Sequence, residues 1–208
     1  MIRHILAASA LAFASASTSA VAHHHDADTG SNGLEHYLID TRGAHAFIQF
    51  KISHLGFSWL YGRFNEFEGE FSFDPNEPTN SSVEVTIQTG SIDSNHDRRD
   101  NHLRNEDFLD VEEFPEAHFR STSFRHIEGE RYHMTGELTL LGHTRELDIE
   151  VKHVGAGNDP WGNYRRGFTG RTTFALADFG IDYDLGPEAE IIEIILDVEG
   201  ILQNGDDE

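Results

Sequence analysis

The sequence predicts an all-β fold, an antiparallel β-barrel of about eight strands joined by short helical connections. Three observations predict it. Apolar and polar residues alternate with a period of two through most of the chain, as half-buried antiparallel strands require. Turn residues punctuate that alternation at hairpin-length intervals, as in Asp74-Pro75-Asn76-Glu77-Pro78, Glu128-Gly129-Glu130 and Leu141-Gly142-His143. The chain also holds 15 Phe, enough bulky side chains to fill a barrel or to line a cavity in one. Closing so many strands on themselves removes exposed edges. A closed sheet of about eight strands has room for side chains plus one small ligand.

The elements follow in order. Arg3, the apolar run Ile5 to Ala16 and the small-x-small signal Ala20-Val21-Ala22 read as a secretory signal peptide over residues 1–22, cleaved after Ala22. The apolar run is too short to span a bilayer as a helix. Residues 23–33 form a polar leader, residues 34–203 the barrel, and residues 204–208 an acidic tail. The predicted strands are His36 to Asp40, Ala46 to Ser53, Phe67 to Phe73, Val83 to Gln88, Ala117 to Arg125, Tyr132 to Leu140, Arg145 to Val154, Tyr164 to Leu176 and Ala189 to Ile201.

Three segments interrupt the alternation. His54 to Phe64 is aromatic and punctuated by glycine. Asp178 to Pro187 is a turn-rich connection. Asn95 to Phe119 is long, charged and helix-like. In it Asn95 is placed to cap a short helix with Asp97 in its first turn. Asp100 and Arg104 are spaced to share one face, and Pro115 ends any continuation.

Composition excludes several functions. With no cysteine, disulfides, thiol catalysis and Cys-ligated metals are ruled out. A formal net charge of -22 argues against nucleic acid, whose phosphates need a basic face, and against anionic membrane surfaces. Lysine occurs only at Lys51 and Lys152. Much acid with little Lys fits a surface adapted to salt, which screens self-repulsion, or a compositional bias. No nucleophile elbow, His-Glu-x-x-His motif or phosphate-binding glycine loop is present. His23, His24 and His25 with Asp26 and Asp28 could hold Zn, Cu or Ni, or form a plain polar leader.

The pieces Tyr37-Leu38-Ile39-Asp40, His45 to Phe50, His54-Leu55-Gly56, Gly62-Arg63-Phe64, Phe67-Glu68-Gly69 and Ser81-Ser82-Val83 share their order and spacing with a known family. So do Arg99 to Arg104, Asp107-Phe108, Phe114-Pro115, Phe119 to Thr122, Gly136 to Thr144 and Asp178-Phe179-Gly180. From about Tyr37 to Leu202 the chain resembles the YceI-like family of exported lipid- or polyisoprenoid-binding proteins. Leu176 departs from the pattern, because relatives often place Arg there. The resemblance implies an extended lipocalin-like barrel, a long isoprenoid or other lipidic tail within it, and a periplasmic location. It also implies a link to isoprenoid quinones, because some relatives are adjacent or fused to a membrane cytochrome b.

The expected function is therefore a periplasmic, non-enzymatic carrier. It would hold a polyisoprenoid, an isoprenoid quinone or a similar amphiphile, with a role in quinone metabolism, transport or stress response, and it requires no other cofactor. Inward positions expected along the tail are Phe50, Ile52, Phe67, Phe71, Phe119 and Phe174, with Trp59 and Phe179 at the mouth. His54, Arg63, Arg99 and Arg104 are candidates for a head group, since Arg forks onto oxyanions. For Arg99 the alternative is an ion pair with Asp100 or a nearby acid, and Arg99 and Arg104 read rather as ties that hold the connection to the barrel. His102 reads as a packing residue. A homodimer and an inner-membrane cytochrome b partner remain open, as do a metal or haem protein using His23 to His25 and an enzyme acting on a lipidic substrate.

Overall fold

The computed structural model describes residues 33–203 except Pro187. The expected signal peptide, the leader with His23, His24 and His25, and the acidic tail lie outside the described residues. The strands are β1 (Glu35–Ile39), β2 (Phe47–His54), β3 (Ser58–Phe64), β4 (Phe67–Phe73), β5 (Ser82–Gln88), β6 (Ile92–Asp93), β7 (Glu116–Glu128), β8 (Arg131–Leu140), β9 (His143–Asn158), β10 (Tyr164–Ala175) and β11 (Ile191–Leu202). The single α-helix among the described residues, α1, spans Asp97–Leu103.

All pairings are antiparallel, and the order β1-β4-β5-β7-β8-β9-β10-β11 closes through β1 on β11. This is an eight-stranded closed barrel. The remaining segments extend its staves. β11 pairs with β1 at Gly200 to Leu202 and with β2 at Ile192 to Asp197. β1 and β2 thus succeed each other along one edge. β3 on β2 and β4 on β1 repeat the arrangement in the next stave.

Side-chain alternation fixes which face turns inward. β1 alternates buried and exposed at every residue, and Leu147, Ile149 and Val151 of β9 are buried between exposed neighbours. Two glycines let rings lie flat on the wall. A Cβ on Gly200 would collide with the Phe71 ring, and one on Gly136 with the Phe119 ring. One core cluster surrounds Tyr37, Phe71, Phe73 and Ile149. The other surrounds Phe50, Leu138, Leu147 and Phe179, and Leu103, Leu109 and Val111 from the α1 connection close over it.

Several expectations are corrected. Most of His54 to Phe64 is strand β3, not an interruption; its aromatics stand outward and hide the alternation. His96, not Asn95, caps α1, its Nδ1 accepting the Arg99 N–H at 3.2 Å. Asn95 instead adopts a left-handed conformation with φ 63°. The helix ends at Leu103, well before Pro115. Leu176 lies in a 3-10 turn after β10, and the last strand begins at Ile191 rather than Ala189.

Candidate ligand-binding cavity

A cavity of about 190 Å³ runs inside the barrel between the two core clusters. On β10 its lining extends from Phe168 to Phe174, about 20 Å of strand. Ile39, Val151 and Val198 line one end, and Ile87, Leu140 and Ile194 the other. Almost every wall atom is apolar. Ser72, Ser81 and Ser82 lie where the cavity reaches the β4–β5 connection. There β7 has parted from β5, whose register with it runs only from Glu84↔Arg120 to Gln88↔Glu116.

The sequence-predicted tail residues separate into groups. Phe67, Phe71, Phe119 and Phe174 line the cavity. Phe50, Ile52 and Phe179 are buried but lie outside the lining. Phe50 fills the space above Gly62, and Phe179 packs against Phe174 at 4.9 Å. Trp59 is corrected from mouth to outer surface, since it is 58% exposed and carries Lys51 Nζ 4.2 Å above its ring.

The predicted head-group residues do not converge. His54 is exposed at the end of β2. Arg63 faces Asp93 at 3.5 Å on the surface. Arg99 donates to Ser94 Oγ at 2.7 Å and to the Ser94 carbonyl at 2.6 Å. Asp100 also binds Ser94, accepting its N–H at 2.8 Å and its hydroxyl. Arg99 and Asp100 therefore meet through Ser94 rather than as an ion pair. Arg104 donates to the carbonyls of Gly90 and Ile92, each at 2.7 Å. Both arginines fasten the α1 connection to the chain before it. His102 packs edge-on against Phe108 and Tyr183 and bonds Asp107 at 2.9 Å.

Sequence reasoning passed over the charged group inside the barrel. Arg166 is 7% exposed and Glu35 5%, and their side chains pair at 2.7 Å. Arg166 Nε donates to the Tyr37 hydroxyl at 3.0 Å, and Tyr37 donates to Glu35 at 2.7 Å. Burial, reinforced by Glu35, pushes the Tyr37 phenol far above its ordinary range. Burial works against the Arg166 cation, but Tyr37 and Glu35 outweigh it and raise its pKa. Arg166 also meets His153 Nε2 at 3.2 Å, and its guanidinium lies 4.7 Å over Phe73. Arginine cannot accept, so Nε2 accepts here and Nδ1 donates to Glu130 at 2.7 Å. This network caps the ring layer of Phe71, Phe73 and Phe168 that bounds the cavity. A signal for it existed. Arg166 shares parity with Phe168 and Phe174 on β10, and His153 with Val151 on β9.

A second charged cluster runs from buried Asp40, just after β1, to exposed His45. Asp40, His45 and Glu199 bring ligand atoms within 4.8 Å of one another. Arg165 Nη1, however, sits 2.6 Å from both Asp40 and Glu199. A guanidinium already supplies the positive charge there, and the group does not fit a metal ion well.

Comparison with known proteins agrees with this architecture. The YceI-like domain matches residues 37–199. A UPF0312 protein of Pseudomonas paraeruginosa is 53% identical over 167 residues, covering 80% of this chain and 87% of the relative. A UPF0312 protein of Shewanella oneidensis is 53% identical over 165 residues, covering 79% and 86%. Among solved structures, a Campylobacter jejuni YceI protein superposes with a TM-score of 0.67 at 25% identity, covering 74% of this chain and 91% of that one. Burkholderia cenocepacia BcnA shares the fold with a TM-score of 0.70 at 21% identity, covering 77% and 98%. A polyisoprenoid binding domain from Saccharophagus degradans shares it with a TM-score of 0.59 at 13% identity, covering 80% and 98%. The chain belongs to the YceI-like family.

Proposed function

We propose that this protein is a non-enzymatic carrier that holds one long-chain isoprenoid or similar amphiphilic lipid inside its barrel. The observation that carries the reading is the axial cavity, apolar over about 20 Å of strand and lined by Phe67, Phe71, Phe119 and Phe174. A cavity of about 190 Å³ that extends along the strands suits a thread-like apolar chain. Each buried methylene is worth about 0.8 kcal/mol. Drug-sized ligands realise about 0.3 kcal/mol per heavy atom, so a long tail binds tightly through apolar contact alone. The solved polyisoprenoid binding domain with the same fold supports the ligand class. The buried charged network beyond one end of the cavity, Glu35, Tyr37, Arg166 and His153, is internally satisfied.

The N-terminal Arg3, apolar run and Ala20-Val21-Ala22 support export to the periplasm with cleavage after Ala22. There a carrier of a quinone or other isoprenoid would serve membrane enzymes such as a cytochrome b. Organic extraction of protein purified from its own host, followed by mass spectrometry, tests the ligand; a long apolar compound in near-stoichiometric amount is expected. An empty extract would reject the reading. N-terminal sequencing of the periplasmic fraction should begin at His23.

A further inference from the structure

Residues 41–65 contain no Asp or Glu, in a chain with 37 acidic residues among 208. They carry Arg42, Lys51 and Arg63 instead, and they build β2, its turn and β3. The register Lys51↔Tyr61 and Ser53↔Trp59 puts both aromatics on the outer face. Trp59 is 58% exposed, Tyr61 56%, and Phe57 at the turn 85%. Ile191, at the start of β11, is also exposed. Beyond Lys51, Glu193 is engaged by that lysine at 2.7 Å and by Arg171 at 2.6 Å. Glu188 lies beside Gly56 at the turn. Exposure alone does not single out this hairpin, because Trp161 is 76% exposed elsewhere. Trp161, however, sits on the Asp159 carboxylate, to which its backbone N–H donates at 2.9 Å.

We infer that the β2–β3 hairpin docks on the headgroup layer of a phospholipid bilayer. Phe57 and Leu55 enter the acyl boundary, and Trp59 and Tyr61 rest at headgroup depth, where such amphipathic rings concentrate. Arg63, half exposed beside Asp93, faces the lipid phosphates, while Lys51 stays bound to Glu193 against the Trp59 ring. The acidic remainder of the surface is repelled by anionic headgroups and so orients the hairpin toward the membrane. At physiological salt that repulsion fades beyond about 8 Å. A second copy of the hairpin would cover the same rings without giving the cargo a route to a bilayer, and it is the competing outcome of the test. The inference rests on the lipid-carrier reading for its purpose, since cargo must leave and enter a bilayer.

The chain has two tryptophans, so Trp161→Phe leaves Trp59 as the sole indole. With phosphatidylcholine vesicles containing a minor fraction of phosphatidylglycerol, its emission should shift to the blue. Brominated acyl chains should quench it. The double variant Leu55→Ser/Phe57→Ser, whose side chains are exposed, should keep its circular dichroism and lose vesicle co-sedimentation at least tenfold. Trp59→Phe, which reports on Trp161, should show no shift. An unshifted Trp59 would overturn the docking site. So would sedimentation showing a dimer that the double variant dissociates while vesicles leave Trp59 unchanged. Lipid extracted from the same preparations separates the two readings: loaded protein with an unshifted Trp59 rejects docking alone, and empty protein with a shifted Trp59 rejects the cargo alone.

Discussion

Arg166 and Arg104 place the same guanidinium in opposite settings. Arg166 is inside the barrel, paired with Glu35 at 2.7 Å and 7% exposed. Arg104 is outside, its Nε and one Nη holding the carbonyls of Gly90 and Ile92. The inner pair fixes the polar end of an apolar interior. The outer arginine joins two stretches of backbone and never approaches the cavity. The difference teaches that a dense motif can mark the architecture of a connection, while the charge buried beside the ligand space sits in an ordinary strand next to a second arginine that faces outward.

Breaking the inner pair should have the largest effect. Arg166→Met strands a buried carboxylate and should cost about 3–5 kcal/mol, read as a lowered urea midpoint at pH 7. Glu35→Leu in the same chain should recover much of the loss. If Arg166→Met leaves the midpoint unchanged, the network is not a buried ion pair in solution. Filling the cavity comes next. Leu147→Trp overpacks the wall at about 1–3 kcal/mol, and its organic extract should contain little lipid.

The outer arginine sharpens the contrast from the other side. Arg104→Met should cost about 1 kcal/mol with lipid content unchanged. Lipid loss without further destabilisation would place Arg104 at the ligand after all.

The smallest effect concerns acid. Burial raises the Asp40 pKa, but bonds from Arg165, the Gly43 N–H and His45 together lower it to about 2. Arg165 and Asn163 hold Asp159 well below the usual carboxylate range against the same burial. A depressed carboxylate stabilises the fold above its unfolded pKa, about 4, and loses that contribution as pH falls through its folded value. The urea midpoint should therefore drop between about pH 4 and pH 2. Arg165→Gln should start lower at neutral pH and show a shallower drop.

Much of the barrel was legible because period-two alternation is a local consequence of the pleat. Phe67, Phe71, Phe119 and Phe174 share inward parity with their neighbours, and the structure brings them to one cavity. Phe50 and Phe179 share that inward character, yet other rings cover them. Parity gives the face of a strand but not what lies opposite. β3 was missed because Trp59, Tyr61 and Phe57 face solvent, so an apolar outer face erased the alternation. Arg99 and Arg104 stood open between a ligand head group and a tie for the connection, with the tie favoured, because sequence reveals charge without its acceptors; here those acceptors are Ser94 and the carbonyls of Gly90 and Ile92.

The sequence by itself determined the strand-rich class, the turns, the family and the surplus of negative charge, since each depends on residue type and spacing along the chain. Only the tertiary structure decided that β1 closes on β11, that Glu35 from the first strand meets Arg166 from the tenth, and that the acid-free run becomes one exposed aromatic hairpin. Those facts depend on which distant segments become neighbours, and barrel closure sets that through register rather than through any local preference.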